Sequence, residues 1–156
     1  MSIEAAKAHL ARYGLAEKVR EFEVSSATVA LAALALGVEE ARIAKTLSFR
    51  RGEGCILVVA AGDARIDNRK FRDRFQCKAK MPAPEEAAEL VGHAVGGVCP
   101  FGVREGVEVF LDVSLRRFDT VFPAAGSSNS AIELSPEELF RCAGAADWVD
   151  VCKLPE

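Results

Sequence analysis

The chain has 156 residues, 50% of them hydrophobic, with a formal net charge of −3, which together predict one soluble globular domain over residues 1–156. No run reaches the roughly 18–20 apolar residues of a membrane span. Charges scattered through the N-terminal MSIEAAKAHLARYG leave no apolar signal core. We therefore expect a cytoplasmic location and no membrane partner.

The cysteines and histidines are too dispersed to predict a metal site or a disulfide framework. The five cysteines are odd in number and no two have CxxC spacing, while the two histidines, His9 and His93, lie far apart. A zinc site needs three or four ligands in a recognisable pattern. We expect neither a metal nor another cofactor.

Hydrophobic periodicity in the first half of the chain predicts helices over residues 2–13, 28–36 and 39–44 and strands over residues 21–24, 46–50 and 56–60. Ser25 and Ser26 are candidate N-caps for the second helix, which Gly37 ends. Lys45 is expected at the junction between the third helix and its following strand, and a Gly-rich hairpin turn is expected to join the last two strands.

A basic segment follows at residues 65–80, with seven basic residues against two acids, a local balance of 7 − 2 = +5. Its helical part, residues 68–75, is expected to display basic side chains outward. Such a run is usually a solvated helix face. The alternative is a binding surface for a phosphate backbone through Arg69, Lys70 and Arg72.

The second half alternates between the two element types, with predicted helices over residues 84–90 and from 136 onwards, a helical turn at 115–118, and strands over 107–113, 121–125, 131–134 and 148–151. Ser135 is the expected cap of the last helix, with Pro136 first and Glu138 completing a capping box. Hairpins among interspersed helices indicate an α/β (α+β) fold with a mixed sheet.

A glycine-rich loop, GHAVGGVCPFG, occupies residues 92–102. The adjacent Gly96 and Gly97 permit positive φ or close approach of another molecule, and Pro100 fixes the backbone behind them. Such a loop either is a plain turn or holds several N–H groups outward as a nest for a phosphate or an oxyanion.

Lys45 in IAKTL and the polar loop GSSNS at residues 126–130 accompany the glycine loop. Taken singly, the lysine is typical of a surface residue near a helix end, and the polar loop is typical of a turn. Taken together, a cation, a Gly-rich donor loop and a hydroxyl/amide loop are the parts that hold a polar carbonyl or phosphate substrate.

From about residue 25 to 139, the motifs SSATVALAALALGV, IAKTL, VVAAGDARIDNRKF, VGGVCPFG and GSSNSAIELSPEEL occur in this order. The chain thereby resembles the YbaK/ProX family of aminoacyl-tRNA editing domains, which also occur inserted in bacterial prolyl-tRNA synthetases. The resemblance implies a single α/β domain with a curved, barrel-like mixed sheet flanked by helices. It further implies a stand-alone, trans-acting deacylase that hydrolyses the ester of a wrong amino acid on tRNA.

Residue by residue, the resemblance assigns catalysis to Lys45, the family's essential lysine, and to Gly96 and Gly97 of its GxxxP loop. It assigns substrate binding to Thr28, Asp67, Cys99, Pro100, Ser127, Ser128 and Asn129. The implied partners are an aminoacyl-tRNA, with tRNA-Pro a candidate, and an aminoacyl-tRNA synthetase, but not DNA.

Small residues in these loops predict a small substrate side chain, namely alanine, serine, threonine or cysteine. The cysteine-specific branch of the family has an Asp where this chain has Ala131, so we expect alanine first. Because aminoacyl esters are already activated, water or the substrate's own side chain is expected to attack without a protein nucleophile.

Two other functions stay open from the sequence. A cysteine hydrolase built on Cys99 needs a base beside the thiol, and His93 is the only histidine nearby. A non-catalytic module that binds a nucleotide or a tRNA end needs the same lysine, basic helix and glycine loop.

Overall fold

The structure, a computed structural model, describes residues 2–93 and 98–155. In that part of the chain the α-helices are α1 (Ser2–Ala11), α2 (Val29–Leu36), α3 (Asn68–Phe75), α4 (Pro84–Val91) and α5 (Pro136–Ala143). The strands are β1 (Arg20–Glu21), β2 (Ile43–Arg51), β3 (Gly54–Ala61), β4 (Arg65–Ile66), β5 (Glu108–Asp112), β6 (Phe122–Pro123), β7 (Ser130–Ala131), β8 (Asp147–Val149) and β9 (Cys152–Lys153).

A five-stranded sheet in the order β6-β2-β3-β5-β8 forms the centre of the fold. Strands β2 and β3 pair antiparallel, with Lys45 opposite Ala60, whereas the other neighbouring pairs in this sheet are parallel. Two small antiparallel pairs, β1 with β7 and β4 with β9, lie beside it. The predicted α/β fold with a curved mixed sheet and flanking helices is confirmed.

Strand β3 lies at the middle of the core because almost every residue of its apolar run is buried. Helix α3 packs on the sheet through Phe71 and Phe75, which are one helical turn apart. Phe71 lies 4.8 Å from the ring of Phe49 on β2, and Phe75 lies 5.0 Å from that of Phe110 on β5. These aromatic contacts fix α3 in place while its basic side chains face solvent.

Helices α3 and α5 occur where the sequence predicts them. Helix α5 begins with the expected capping box between Ser135 and Glu138 and ends at Gly144, whose φ of 62° suits a residue without Cβ. None of the helices in residues 2–93 and 98–155 combines the length and apolar character that a membrane span requires.

The prediction of a helix over residues 39–44 is wrong. Only Glu40–Arg42 form a 3-10 turn, and Ile43 already begins β2 by pairing with Phe122. Lys45 therefore lies inside a strand and not at a helix-to-strand junction. Pairing with strands distant in sequence decides this conformation, and local periodicity does not report it.

The expected N-caps of α2 are also corrected. Thr28 caps the helix by accepting a hydrogen bond from the Leu31 N–H at 3.1 Å. Ser26 instead donates its backbone N–H to the Ser128 carbonyl at 2.6 Å, and Ser25 accepts from the N–H of Ala27. The two serines belong to the segment that leads into the helix.

Three predicted strands are shorter in the structure. In place of the predicted strands over 121–125 and 131–134, the structure has the two-residue strands Phe122–Pro123 and Ser130–Ala131. Outside them, Val121 and Leu134 form one isolated antiparallel bridge. Pro123 has no N–H to extend the pairing. The candidate strand at 21–24 becomes Arg20–Glu21.

Candidate functional site

A cavity of about 390 Å³ opens between β2, the start of α2 and the segment that leads into α4. This volume is within the range of small-molecule sites, about 300–1,000 Å³. Small apolar residues line much of it, namely Ala27, Ala32, Ala44, Ala87, Ala124 and Ala131. Its polar lining consists of Ser26, Thr28, Lys45, Thr46, Ser48 and Ser130.

Lys45 is half-buried at this cavity and is held by two backbone carbonyls. Its Nζ donates to the Ala64 carbonyl and, at 3.4 Å, to the Gly62 carbonyl. A lysine ammonium has three donors, so one N–H has no acceptor among the described residues. Burial lowers the pKa of Lys45 below its ordinary 10.5, an effect that Cys152 and Asp63 oppose. One N–H of a partly desolvated cation is thus available to a ligand.

The loop between β3 and β4 supplies those carbonyls and is itself fixed. Arg117 donates to both carboxylate oxygens of Asp63, at 2.6 and 3.2 Å, and holds the pKa of that carboxyl below its ordinary value. A Cβ on Gly62 would lie 2.0 Å from the Glu40 carbonyl oxygen, so only glycine fits there. Sequence reasoning missed this support; its one local signal was a Gly-Asp pair directly after a buried strand.

Thr46 and Ser130 were also missed as site residues. Both line the cavity, and the buried Oγ1 of Thr46 has no hydrogen-bond partner within the described ranges. A buried hydroxyl without a partner costs free energy, so a ligand or water that supplies one is stabilised there. The described residues contain no group of three His, Cys, Asp or Glu side chains placed to hold a metal ion.

The glycine loop is only partly described. Gly96 and Gly97, the predicted catalytic glycines, lie outside the described residues. Val98, the next residue, lines the cavity, so the loop reaches the site from this end. Cys99 and Pro100 are buried and are not among the residues that line the cavity.

His93 and Cys99 are adjacent in the core, with Nε2 and Sγ 3.6 Å apart, but they are not built as a catalytic pair. The carbonyl of Phe101 lies 2.6 Å from His93 Nε2, so that nitrogen carries its proton and donates it. It cannot also accept the thiol proton. Burial raises the pKa of Cys99 to about 12 and lowers that of His93, which keeps both groups neutral.

The predicted residues of GSSNS connect chain segments beside the cavity. The carbonyl of Ser128 accepts from Ser26, and the side-chain amide of Asn129 donates to the Phe22 carbonyl at 2.8 Å. Ser127 donates to Ser130, which itself lines the cavity. The loop thus holds the segment from which α2 starts.

The predicted basic residues Arg69, Lys70 and Arg72 on helix α3 have different surroundings. Its N-cap, Asp67, accepts from the backbone N–H groups of Arg69 and Lys70 and is outside the cavity lining. Lys70 forms an ion pair with Asp150 at 3.1 Å. Arg69 and Arg72 line a different cavity, on α3 itself.

Fold and site together define a class: a mixed α/β domain with a small-walled ligand cavity beside a half-buried lysine. Residues 23–142 match the family described as aminoacyl-tRNA editing domain. This chain belongs to that family, the YbaK/ProX family, and the resemblance noted in the sequence is confirmed.

Relatives of the chain match it over nearly its whole length. It is 54% identical over 154 residues to the uncharacterized protein YwhH of Bacillus subtilis (strain 168), which covers 98% of each chain. A crystal structure described as a candidate trans-editing enzyme for prolyl-tRNA synthetase is 31% identical, with a TM-score of 0.87 and coverage of 97% of both chains. The hypothetical protein APE2540 is 28% identical, with a TM-score of 0.79 and coverage of 92% of this chain and 99% of its own.

Proposed function

We propose that this editing domain is a trans-acting deacylase that hydrolyses the ester between a small amino acid and tRNA. One observation carries the proposal: a half-buried lysine, with one N–H that has no acceptor among the described residues, lines a cavity to which six alanines contribute. The ammonium suits an ester or ribose oxygen, and the walls suit a short side chain. Alanine wrongly attached to tRNA-Pro is the first candidate, supported by the likeness to the candidate prolyl-tRNA synthetase trans-editing enzyme.

The reaction needs positioning more than it needs a protein nucleophile. Water attacks the acyl carbon, the bond to the ribose oxygen breaks, and that oxygen takes a proton, which releases the amino acid and leaves tRNA with a free hydroxyl. Lys45 stabilises the negative charge that develops on oxygen, and the Thr46 hydroxyl is placed to bind the water or the substrate. Donation from Gly96 and Gly97 amides remains part of the proposal. One such donor is typically worth about 10²–10³-fold in rate.

Two observations argue against the cysteine-hydrolase alternative. His93, the histidine beside Cys99, has its facing nitrogen committed to the Phe101 carbonyl, and the thiol is buried. A thiolate nucleophile requires a base or a lowered pKa, and Cys99 has a raised one.

The proposal is tested with a panel of aminoacyl-tRNAs, scored for loss of the ester with and without the protein. We expect hydrolysis of alanyl, seryl, threonyl and cysteinyl esters, with alanyl first, and much slower hydrolysis of bulky ones. Discrimination between near-isosteres should be modest because one methylene is worth about 1–3 kcal/mol.

The size argument has its own control. Ala124→Leu puts bulk into the cavity and should reduce alanyl-tRNA hydrolysis, while Ala11→Leu, on the exposed face of α1, should not. Preference for a bulky or charged aminoacyl group over alanine would contradict the proposal.

A further inference from the structure

A second cavity, of about 460 Å³, lies between α3 and the segment that follows it. We call it the α3 cavity; it is lined by Asn68, Arg69, Arg72, Lys78 and Ala79. Three of these five residues are cationic. Two of them, Arg69 and Arg72, come from adjacent turns of the helix, and Lys78 comes from the segment that follows it.

These three cations have no ion-pair partner among the described residues, whereas Lys70 and Arg74 on helix α3 each have one. Lys70 pairs with Asp150, and Arg74 pairs with Asp147 at 3.4 Å. In the part of the chain that the structure describes, the side chains of Arg69, Arg72 and Lys78 form no ion pair or hydrogen bond, and all three are exposed. An acceptor from another molecule can therefore reach all three without displacing an intramolecular partner.

The α3 cavity and the cavity at Lys45 are lined by successive parts of the segment that leads into α4. Lys78 and Ala79 line the first, and Met81 and Pro82 line the second. Two residues of chain span at most about 7 Å between Cα atoms, so the two cavities are neighbours. A single polynucleotide whose terminal ester is held at Lys45 would pass the α3 cavity within its first few nucleotides.

We propose that the α3 cavity binds backbone phosphate of the single-stranded 3′ end of the tRNA, through Arg69, Arg72 and Lys78. The inference rests on the proposed function, whose cavity at Lys45 fixes where the aminoacylated end lies. Charge complementarity selects the occupant: three unpaired cations in one concavity fit a phosphodiester, and two of them are guanidinium groups that bind phosphate bidentately. Lys70, although predicted from sequence, is replaced in this set by Lys78.

The test measures binding of uncharged tRNA against salt concentration, so it needs no chemistry at the ester. The triple variant Arg69→Gln, Arg72→Gln, Lys78→Gln should bind about tenfold or more weakly at low salt. Its slope of log affinity against log salt should be shallower by about 2, since single strands release about 0.7 counterion per contact. A control triple variant, Arg12→Gln, Lys18→Gln, Arg141→Gln, changes the net charge equally at exposed positions and should leave binding unchanged.

A second substrate separates this inference from the proposed function. With a 3′-aminoacyl adenosine, which has no phosphate to offer, the first triple variant should match the wild type in kcat/KM, while with aminoacyl-tRNA its KM should rise. Unchanged tRNA binding by that variant, or an equal loss in the control variant, would overturn the inference even if deacylation is normal. A wild type that binds tRNA through these residues but hydrolyses no ester would overturn only the proposed function.

Discussion

Lys45 combines two properties that an exposed lysine lacks. Its ammonium is oriented by the carbonyls of Gly62 and Ala64, and it is partly removed from water. Electrostatic interactions strengthen as solvent is excluded, so a charge that develops on a substrate oxygen is stabilised more here than at the surface. The pKa of Lys45 is lowered by burial, while Asp63 and Cys152 favour the charged form.

Cys99 provides a prediction at the same scale. Burial raises the pKa of its thiol to about 12, so the thiol is protonated near neutrality and is not a nucleophile there. Cys99→Ser and Cys99→Ala should keep most of the deacylase activity, and iodoacetamide at pH 8 should label this position very slowly in the native protein. Loss of activity in folded variants, together with a trapped thioester in the wild type, would show that Cys99 is the nucleophile.

At the scale of elements, the loop between β3 and β4 connects the site to the rest of the fold. Arg117, from the 3-10 turn Val113–Arg117, reaches this loop through Asp63 and also donates to the Ser114 carbonyl at 2.9 Å. The ion pair is partly exposed, so it contributes little to stability, about 0–1 kcal/mol. Because Asp63 lies between Gly62 and Ala64, we expect this ion pair to position the two carbonyls that hold Lys45.

Arg117→Gln tests that positioning role. We expect kcat to fall by about ten- to a hundredfold, because small misplacements of a catalytic group are costly, with little change in KM or in the melting temperature. Arg116→Gln is the matched control, since Arg116 belongs to the same turn but stacks on Trp148. Equal activity of the two variants would mean that the loop holds its shape without Arg117.

Elements were predicted well where the signals are local. The capping box of α5 lies within a few residues, and both α5 and the basic helix α3 occur as expected. The prediction failed at residues 39–44, where pairing of Ile43 with Phe122 makes a strand out of a segment with helical periodicity. Contacts across such separations are set by the whole fold, and one sequence does not reveal them.

In the candidate site, too, local motifs could be predicted from the sequence, and contacts between distant residues could not. Lys45 and the motifs around the cavity were recognisable from sequence, and Val98 connects the glycine loop to that cavity. The carbonyls of Gly62 and Ala64 that orient Lys45 were not, and neither was the support of their loop by the Arg117–Asp63 ion pair, which spans 54 residues. Cys99 and His93 show the converse: their proximity suggests catalysis until burial and the Phe101 carbonyl are taken into account.

The charge of the whole molecule supports a localised RNA surface. The net charge is −3, yet the cations of the α3 cavity face solvent on one helix and the segment after it. We expect a polyanion to be attracted to this cavity, and under the inference above the tRNA end would then lie at the neighbouring cavity.

The central claim, that Lys45 drives hydrolysis of a small aminoacyl ester, is tested most directly by single-turnover hydrolysis of alanyl-tRNA. Wild-type protein should remove the ester far faster than buffer alone, and Lys45→Ala should lower the rate by about 10²–10³-fold while remaining folded. Lys18→Ala, at an exposed position, should behave as the wild type. A folded Lys45→Ala variant that retains most of the wild-type rate would contradict the claim.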